Sequence, residues 1–244
     1  MSLSYSLKED LDAAGFDICC HPFDPSLYNQ LIETENLPVE PLPEAHMVAY
    51  LIGNTKLIWP FFREWYMRHG TDSDPFDTFC QQTLEPIFQR NLEGKEYRIY
   101  WSCESSPEKL VSMQRVASVS GFSFLDMKSH LSIHPVYGTW HSFRAVVVVK
   151  AECPNLPTPT PAPCLLTPQE QEKAKVAMLH ALEVSDEDRL CDQLHGEGPS
   201  EQVAAAWIEL RDCVSVGKEF KFDEDQLWYH YTKDTKFLSR IKGD

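Results

Sequence analysis

Basic residues are scarce in this sequence. Its 244 residues hold 22 Lys and Arg against 37 Asp and Glu, a formal net charge of −15. That balance argues against a nucleic-acid binder, which clusters Lys and Arg to neutralise phosphates, and against docking on an anionic membrane surface. Glycine is sparse too, at 10 residues, and neither G-x-G-x-x-G nor G-x-x-x-x-G-K-[ST] occurs, so both phosphate-cradling fingerprints are missing. There is no C-x-x-C and no H-E-x-x-H, and the nine histidines lack ligand spacing, which leaves a zinc hydrolase without support. The longest aliphatic run, Ala145 to Val149, is far short of a bilayer span. Met1 to Ala14 alternates charged and apolar residues and has neither the basic start nor the apolar run of a signal peptide. These absences predict a chain that uses no membrane and no nucleic acid, is not exported, and works in the cytoplasm.

Hydrophobic residues make up 43% of the chain, enough for a real core and for one or two domains. Eight cysteines stand at 19, 20, 80, 103, 153, 164, 191 and 213. Vicinal Cys19 and Cys20 read as strand residues facing opposite ways, and the set reads as reduced structural thiols. The strongest boundary is Cys153 to Pro163, where five prolines in eleven residues can neither continue a helix nor donate to a ladder. The expected organisation is a core over 1–152, a Pro-rich connector over 153–166, and a helical cap over 167–244 packed on the core.

The patterning predicts strands at Phe16–Cys20, Met47–Gly53, Glu96–Cys103, Phe122–Met127, Leu131–His134 and Thr139–Lys150. Four consecutive valines, Val146–Val149, predict that the last strand is covered on both faces. Helices are predicted at Pro25–Thr34, Thr55–His69, Pro75–Leu92 (behind Asp72 and Asp74 as caps) and from Ser106-Pro107-Glu108 to about Val119. After the connector, Thr167-Pro168-Gln169-Glu170 is a capping signal for a helix to about Glu183. Further helices are expected at Ser185–Leu194, Ser200–Cys213 and Asp223–Ile241. The fold class is α+β, with a mostly antiparallel sheet.

Candidate chemistry concentrates in Ile133-His-Pro-Val-Tyr-Gly-Thr-Trp-His-Ser-Phe-Arg144. The alternation puts Trp140, Ser142 and Arg144 on one strand face and His141, Phe143 and Ala145 on the other. A guanidinium inside a Val-rich strand is costly unless it meets a carboxylate of the protein or an anionic ligand. Arg211, in Trp207-Ile-Glu-Leu-Arg-Asp212, is either a surface charge or a second such group, and Trp228-Tyr-His-Tyr-Thr-Lys-Asp234 is either core packing or a platform for a flat ligand.

Several segments, in order along the chain, resemble the CblC-type (MMACHC) family of cobalamin-processing proteins. The main one is Ile133-His-Pro-x-Tyr-Gly-x-Trp-x-x-x-Arg144-x-Val-Val; others are Gly15-Phe-Asp, Tyr28-Asn-Gln-Leu-Ile, Pro41-Leu-Pro, Thr71-Asp-Ser-Asp-Pro-Phe-Asp77, the Pro-rich linker with Cys164, and Trp207 to Asp212. The resemblance runs from about residue 15 to 238. It implies a flavin-nitroreductase-like α+β fold with helices flanking the sheet and a helical C-terminal cap. It also implies a chaperone that binds cobalamin with its lower base displaced and removes the upper axial ligand. Alkylcobalamins are dealkylated by glutathione; cyanocobalamin is reductively decyanated with electrons from reduced flavin (FAD or FMN) or a flavoprotein reductase. A downstream cobalamin-trafficking protein is the implied further partner. Cobalt arrives in the cobalamin, so no protein side chain is expected to bind metal.

By the same resemblance, Arg144 and Arg211 match glutathione-binding arginines, with Lys236 near a third. The corrin-facing segments correspond to Glu104, Val111, Ser112, Met113, Gln114, Leu125, Asp126, Met127, Ser132 and Phe143. Two positions depart: Ser118 lies where the family has a His near the upper cobalt face, and Phe222 where it has a Tyr in the cap. Losing both groups opens the cobalt to oxygen, so accompanying glutathione oxidation is expected. A non-catalytic cobalamin carrier and a flavin oxidoreductase without a cobalamin role are the competing readings. Arg144 and Arg211 favour the enzyme over the carrier, and the lack of a basic flavin-phosphate motif counts against the oxidoreductase.

Overall fold

The computed structural model describes residues 5–70, 74–106, 109–151, 156–195 and 199–238, with the side chains of 5 and 189–195 left aside. Asp72, Pro107, Glu108 and Cys153, and the tail beyond 238, lie outside the described residues. The chain forms two compact units. The first comprises Met1–Phe124 and His141–Ala162, the second Leu125–Trp140 and Pro163–Asp244. Two contacts explain why this division differs from the expected one at 152 and 166. Gly121 lies so close to the Thr160 carbonyl that a Cβ would come within 2.4 Å of it, tying the connector's prolines to the first unit. Thr139 bonds Arg211, tying residues 125–140 to the second.

The first unit is built on a four-stranded antiparallel sheet, ordered β1 (Ile18–Cys19), β2 (Met47–Asn54), β6 (Ser142–Lys150), β3 (Tyr97–Trp101). All eight residues of β2 are buried, and so are Val146–Val149 of β6, as the unbroken apolar run predicted. One face packs on α2 (Pro25–Thr34) and α5 (Met113–Val119) through Phe23, Tyr28, Ile32, Val111, Val116 and Ala117. Helix α1 (Tyr5–Ala13), which the sequence reading did not assign, packs on α4 (Pro75–Asn91). Phe62 of α3 (Ile58–His69) meets Phe76 and Phe79 of α4 in a ring cluster. The helix expected from residue 106 begins only at Met113, because backbone groups before it are spent elsewhere. The Leu110 carbonyl accepts from Glu40 N–H, and Ser112 N–H donates to the Tyr28 hydroxyl.

The expected alternation along the last strand breaks at its start. Ile52 pairs with Ala145 and Gly53 with Phe143, so Arg144 is the extra residue of a β-bulge. A bulge kinks its strand and re-aims the side chain it carries. Gly53 is required opposite it, since a Cβ there would sit 2.4 Å from the Ser142 carbonyl oxygen.

Strand β4 (Phe124–Leu125), whose Leu125 opens the second unit, forms a two-stranded ladder with β5 (Ser132–Ile133), and that unit also holds helices α6 (Pro168–His195), α7 (Glu201–Asp212) and α8 (Glu224–Thr232). The final helix expected to 241 ends at Lys233, whose φ of 60° stops it, and a 3-10 turn follows at Thr235–Phe237. The predicted capping box is present: Glu170 accepts from the N–H and hydroxyl of Thr167, and the Thr167 hydroxyl accepts from Glu170 N–H. The two helices expected over 167–194 are one, since Ser185 bonds back to the Ala181 carbonyl instead of capping a new helix.

The turn Pro135–Gly138 is locked by His134, whose Nδ1 accepts from Val136 and Tyr137 N–H at 3.0 and 3.1 Å. Gly138 (φ 56°) and Gly217 (φ 75°) then let two backbones cross: a Cβ on Gly138 would fall 1.8 Å from the Val216 oxygen. Gly138→Ala is expected to destabilise the second unit by more than the roughly 1–2 kcal/mol of left-handed strain alone, read as a fall in Tm. Burial holds His134 down from an ordinary 6.5 to about 4. Its stabilisation is complete above pH 6.5 and is lost as pH falls through 4. The stability gap between wild type and His134→Ala, about 1–3 kcal/mol at neutral pH, therefore narrows between pH 6.5 and 4 in urea unfolding. A gap independent of pH would remove this role for the imidazole.

Candidate functional site

In the first unit, the bulge delivers Arg144 to Asn54, the last residue of β2. Arg144 Nε donates to Asn54 Oδ1 at 2.6 Å, and the guanidinium carbon lies 4.4 Å from the centre of the Phe76 ring. Asn54 is fully buried, and its amide is oriented by its own Nδ2, which donates to the Thr55 carbonyl at 2.8 Å. The guanidinium thus has a fixed direction. Its field reaches a thiol: burial raises Cys103 above the ordinary thiol range, Asp77 adds to the rise, and Arg144 opposes it.

The other first-unit candidates are spread over the chain between β3 and β6. Glu104 accepts from Ser106 and Ser105 N–H, and these donors, Ser106 foremost, lower its pKa. Val111 is core, and Ser112, Met113, Gln114 and Ser118 are half-buried around α5. Phe143 is half-buried, edge-on to Phe122 at 5.9 Å and tilted against His141 at 5.1 Å.

In the second unit, Arg211 and Phe222 come together. The Arg211 guanidinium lies 4.9 Å from the ring centres of both Phe222 and Trp140. Its Nε donates to the Thr139 carbonyl at 3.0 Å, Nη2 donates to the same oxygen, and Nη1 donates to the Tyr231 hydroxyl at 3.4 Å. Thr139 answers by donating its hydroxyl to the Arg211 carbonyl. Phe222 is only 3% exposed, so this aromatic is core as well as neighbour to the charge.

Lys236 is placed elsewhere. It pairs with Asp234 at 2.8 Å and Glu201 at 3.5 Å, and Asp234 above all raises its pKa. Glu201 opens α7 and Arg211 closes it, which sets the two anchor points about 15 Å apart along the helix axis. Of the corrin candidates here, Asp126 is buried and accepts from the N–H and hydroxyl of Ser129, Leu125 is buried, Ser132 is half-buried on β5, and Met127 is 53% exposed.

Asn54, Phe76, Thr139 and Tyr231 stand beside the arginines although none was a sequence candidate. One signal was available: Gly53-Asn54 ends an otherwise apolar strand, and a strand glycine marks a bulge. A groove of about 700 Å3 between α6 and α7, lined by Glu172, Lys173, His180, Glu209 and Cys213 among others, shares no residue with the predicted set. Among the described residues, no group of three or more His, Cys, Asp or Glu could hold a metal ion, and no helix is long and apolar enough to cross a membrane.

Known proteins similar to this chain place it further. It is 22% identical over 217 residues to an MMACHC-like protein of Caenorhabditis elegans, spanning 71% of this chain and 79% of that one. It is 26% identical over 187 residues to a Bos taurus protein named cyanocobalamin reductase / alkylcobalamin dealkylase, covering 68% of this chain but 64% of the bovine one. Its fold matches the crystal structure of a C. elegans B12-trafficking protein, CblC, with a TM-score of 0.70 at 17% identity, over 99% of this chain and 97% of that. The family model for methylmalonic aciduria and homocystinuria type C proteins matches residues 17–188, and the chain belongs to that family.

Proposed function

We propose that this protein binds cobalamin with its lower base displaced and removes the upper axial ligand. Alkylcobalamins are dealkylated by glutathione, and cyanocobalamin loses cyanide reductively with electrons from reduced flavin or a partner reductase. Family membership carries the reading, and the name of the bovine relative agrees with it. The protein works in the cytoplasm and passes its product to a downstream trafficking protein.

In dealkylation a glutathione thiolate attacks the carbon bonded to cobalt. A carbon–sulfur bond forms, the cobalt–carbon bond breaks, and cob(I)alamin leaves with the electron pair. A free thiol has a pKa of about 8.5, so a nearby guanidinium raises the thiolate fraction at neutral pH. Arginine also matches a carboxylate in fork geometry, and glutathione carries two carboxylates. Arg144 and Arg211 are the residues assigned these tasks, each held by an uncharged oxygen and an aromatic ring. Lys236, already paired with two carboxylates, is the weakest of the three glutathione candidates.

Mixing the protein with methylcobalamin is expected to give the base-off absorption shift, followed by loss of the alkyl spectrum when glutathione is added. Absence of any shift at micromolar protein would overturn the reading; a shift without glutathione-dependent loss would leave a carrier. Arg144→Ala and Arg211→Ala are each expected to raise KM for glutathione about tenfold or more, as loss of a charge-assisted bond predicts, with base-off binding retained. Equal loss of both would make the arginines structural.

With Ser118 and Phe222 in place of the family's His and Tyr, oxygen reoxidises cob(I)alamin and glutathione disulfide accumulates in air. Thiol loss that is absent, or independent of cobalamin, would sink this expectation.

A further inference from the structure

We infer that Asn54 is a positioning residue for the thiol co-substrate: its amide aims the Arg144 guanidinium at a carboxylate of glutathione while contributing no charge of its own. This rests on the proposed role of Arg144.

Three observations converge on it. Asn54 is fully buried at the end of β2, where it pairs with Ser142 just beyond the bulge that carries Arg144. Its amide orientation is fixed, because Nδ2 donates to the Thr55 carbonyl and so presents Oδ1 to Arg144 Nε at 2.6 Å. The same guanidinium carbon lies 4.4 Å from the Phe76 ring centre, a second contact that limits its movement. A guanidinium has five N–H donors in a rigid fork, and engaging Nε at one oxygen constrains the rest of the fork.

The residue type is informative. In a chain with 37 acidic residues, a carboxylate at position 54 would have been the ordinary partner for a half-buried arginine. It would also have offset the charge that an anionic co-substrate has to find. An amide oxygen supplies the hydrogen bond without that cancellation. A residue present only to satisfy Arg144 could carry either group; one that prepares it for an anion has to be neutral.

The test compares glutathione with 2-mercaptoethanol, a thiol without carboxylates, in dealkylation of methylcobalamin by the full chain. The readout is the ratio of kcat/KM for the two thiols. Asn54→Leu removes the acceptor, and Asn54→Asp keeps the shape and an acceptor oxygen but adds charge. Both are expected to lower the ratio about tenfold, mainly through KM for glutathione, as loss of one bond to a charged group predicts. A general structural defect lowers both thiols alike and leaves the ratio unchanged. An unchanged ratio in either variant overturns the inference, and if Asn54→Leu does not fold, Asn54→Asp decides alone. Wild-type protein without glutathione-dependent turnover would overturn the proposed function instead.

Discussion

The first unit depends on the antiparallel pairing of β2 with β6. All of β2 and Ala145–Val149 of β6 are buried, so their register is fixed by apolar surface on two faces rather than one. A strand so placed has no solvent face on which to carry a charge. The bulge at Arg144 resolves this: it ends the regular ladder where the valines end and turns the next residue out of register. Gly53 permits the close approach, and Asn54 receives the guanidinium. A rigid hydrophobic strand pair thereby holds a cation with little freedom to wander.

The second unit solves the same problem without a sheet. Arg211 sits near the end of α7, where the helix dipole favours a cation. The Thr139 carbonyl takes two of its N–H groups, and Trp140 and Phe222 supply aromatic faces. Thr139 and Trp140 are held in turn by the His134 turn and the crossing of backbones at Gly138 and Gly217. The crossing of backbones at Gly138 and Gly217 therefore lies a few residues from Thr139 and Arg211 in sequence.

Much of this was legible in the sequence. Periodicity located β2, α2 and α4 to within a residue or so, because long elements with one consistent apolar pattern leave little ambiguity. Thr167 and Glu170 announced the start of α6, since a capping box is local chemistry. The misses came from tertiary contacts. Ser185 bonds within α6 and also accepts from Trp207 Nε1, so a residue that reads as a break is part of a continuous helix. Residues 110–112 stay outside the helix because Glu40 and Tyr28, far away in sequence, claim the Leu110 carbonyl and the Ser112 N–H. Among the candidate residues, the two arginines stood out as cations in apolar surroundings, but their partners did not. Asn54 and Thr139 are unremarkable residues until the fold brings them to a guanidinium.

The edge strand carries one more consequence. Cys20 is buried, and its sulfur accepts from Leu51 N–H at 3.0 Å; burial pushes its pKa up to about 12 and pushes its neighbour Cys19 higher still. A thiol held so far above its ordinary range is almost entirely protonated at neutral pH. Thiol–disulfide exchange needs the thiolate. Burial thus keeps these two sulfurs chemically silent toward exchange. Vicinal cysteines usually suggest redox traffic; here burial takes the pair out of it and makes it part of the apolar packing at the sheet edge.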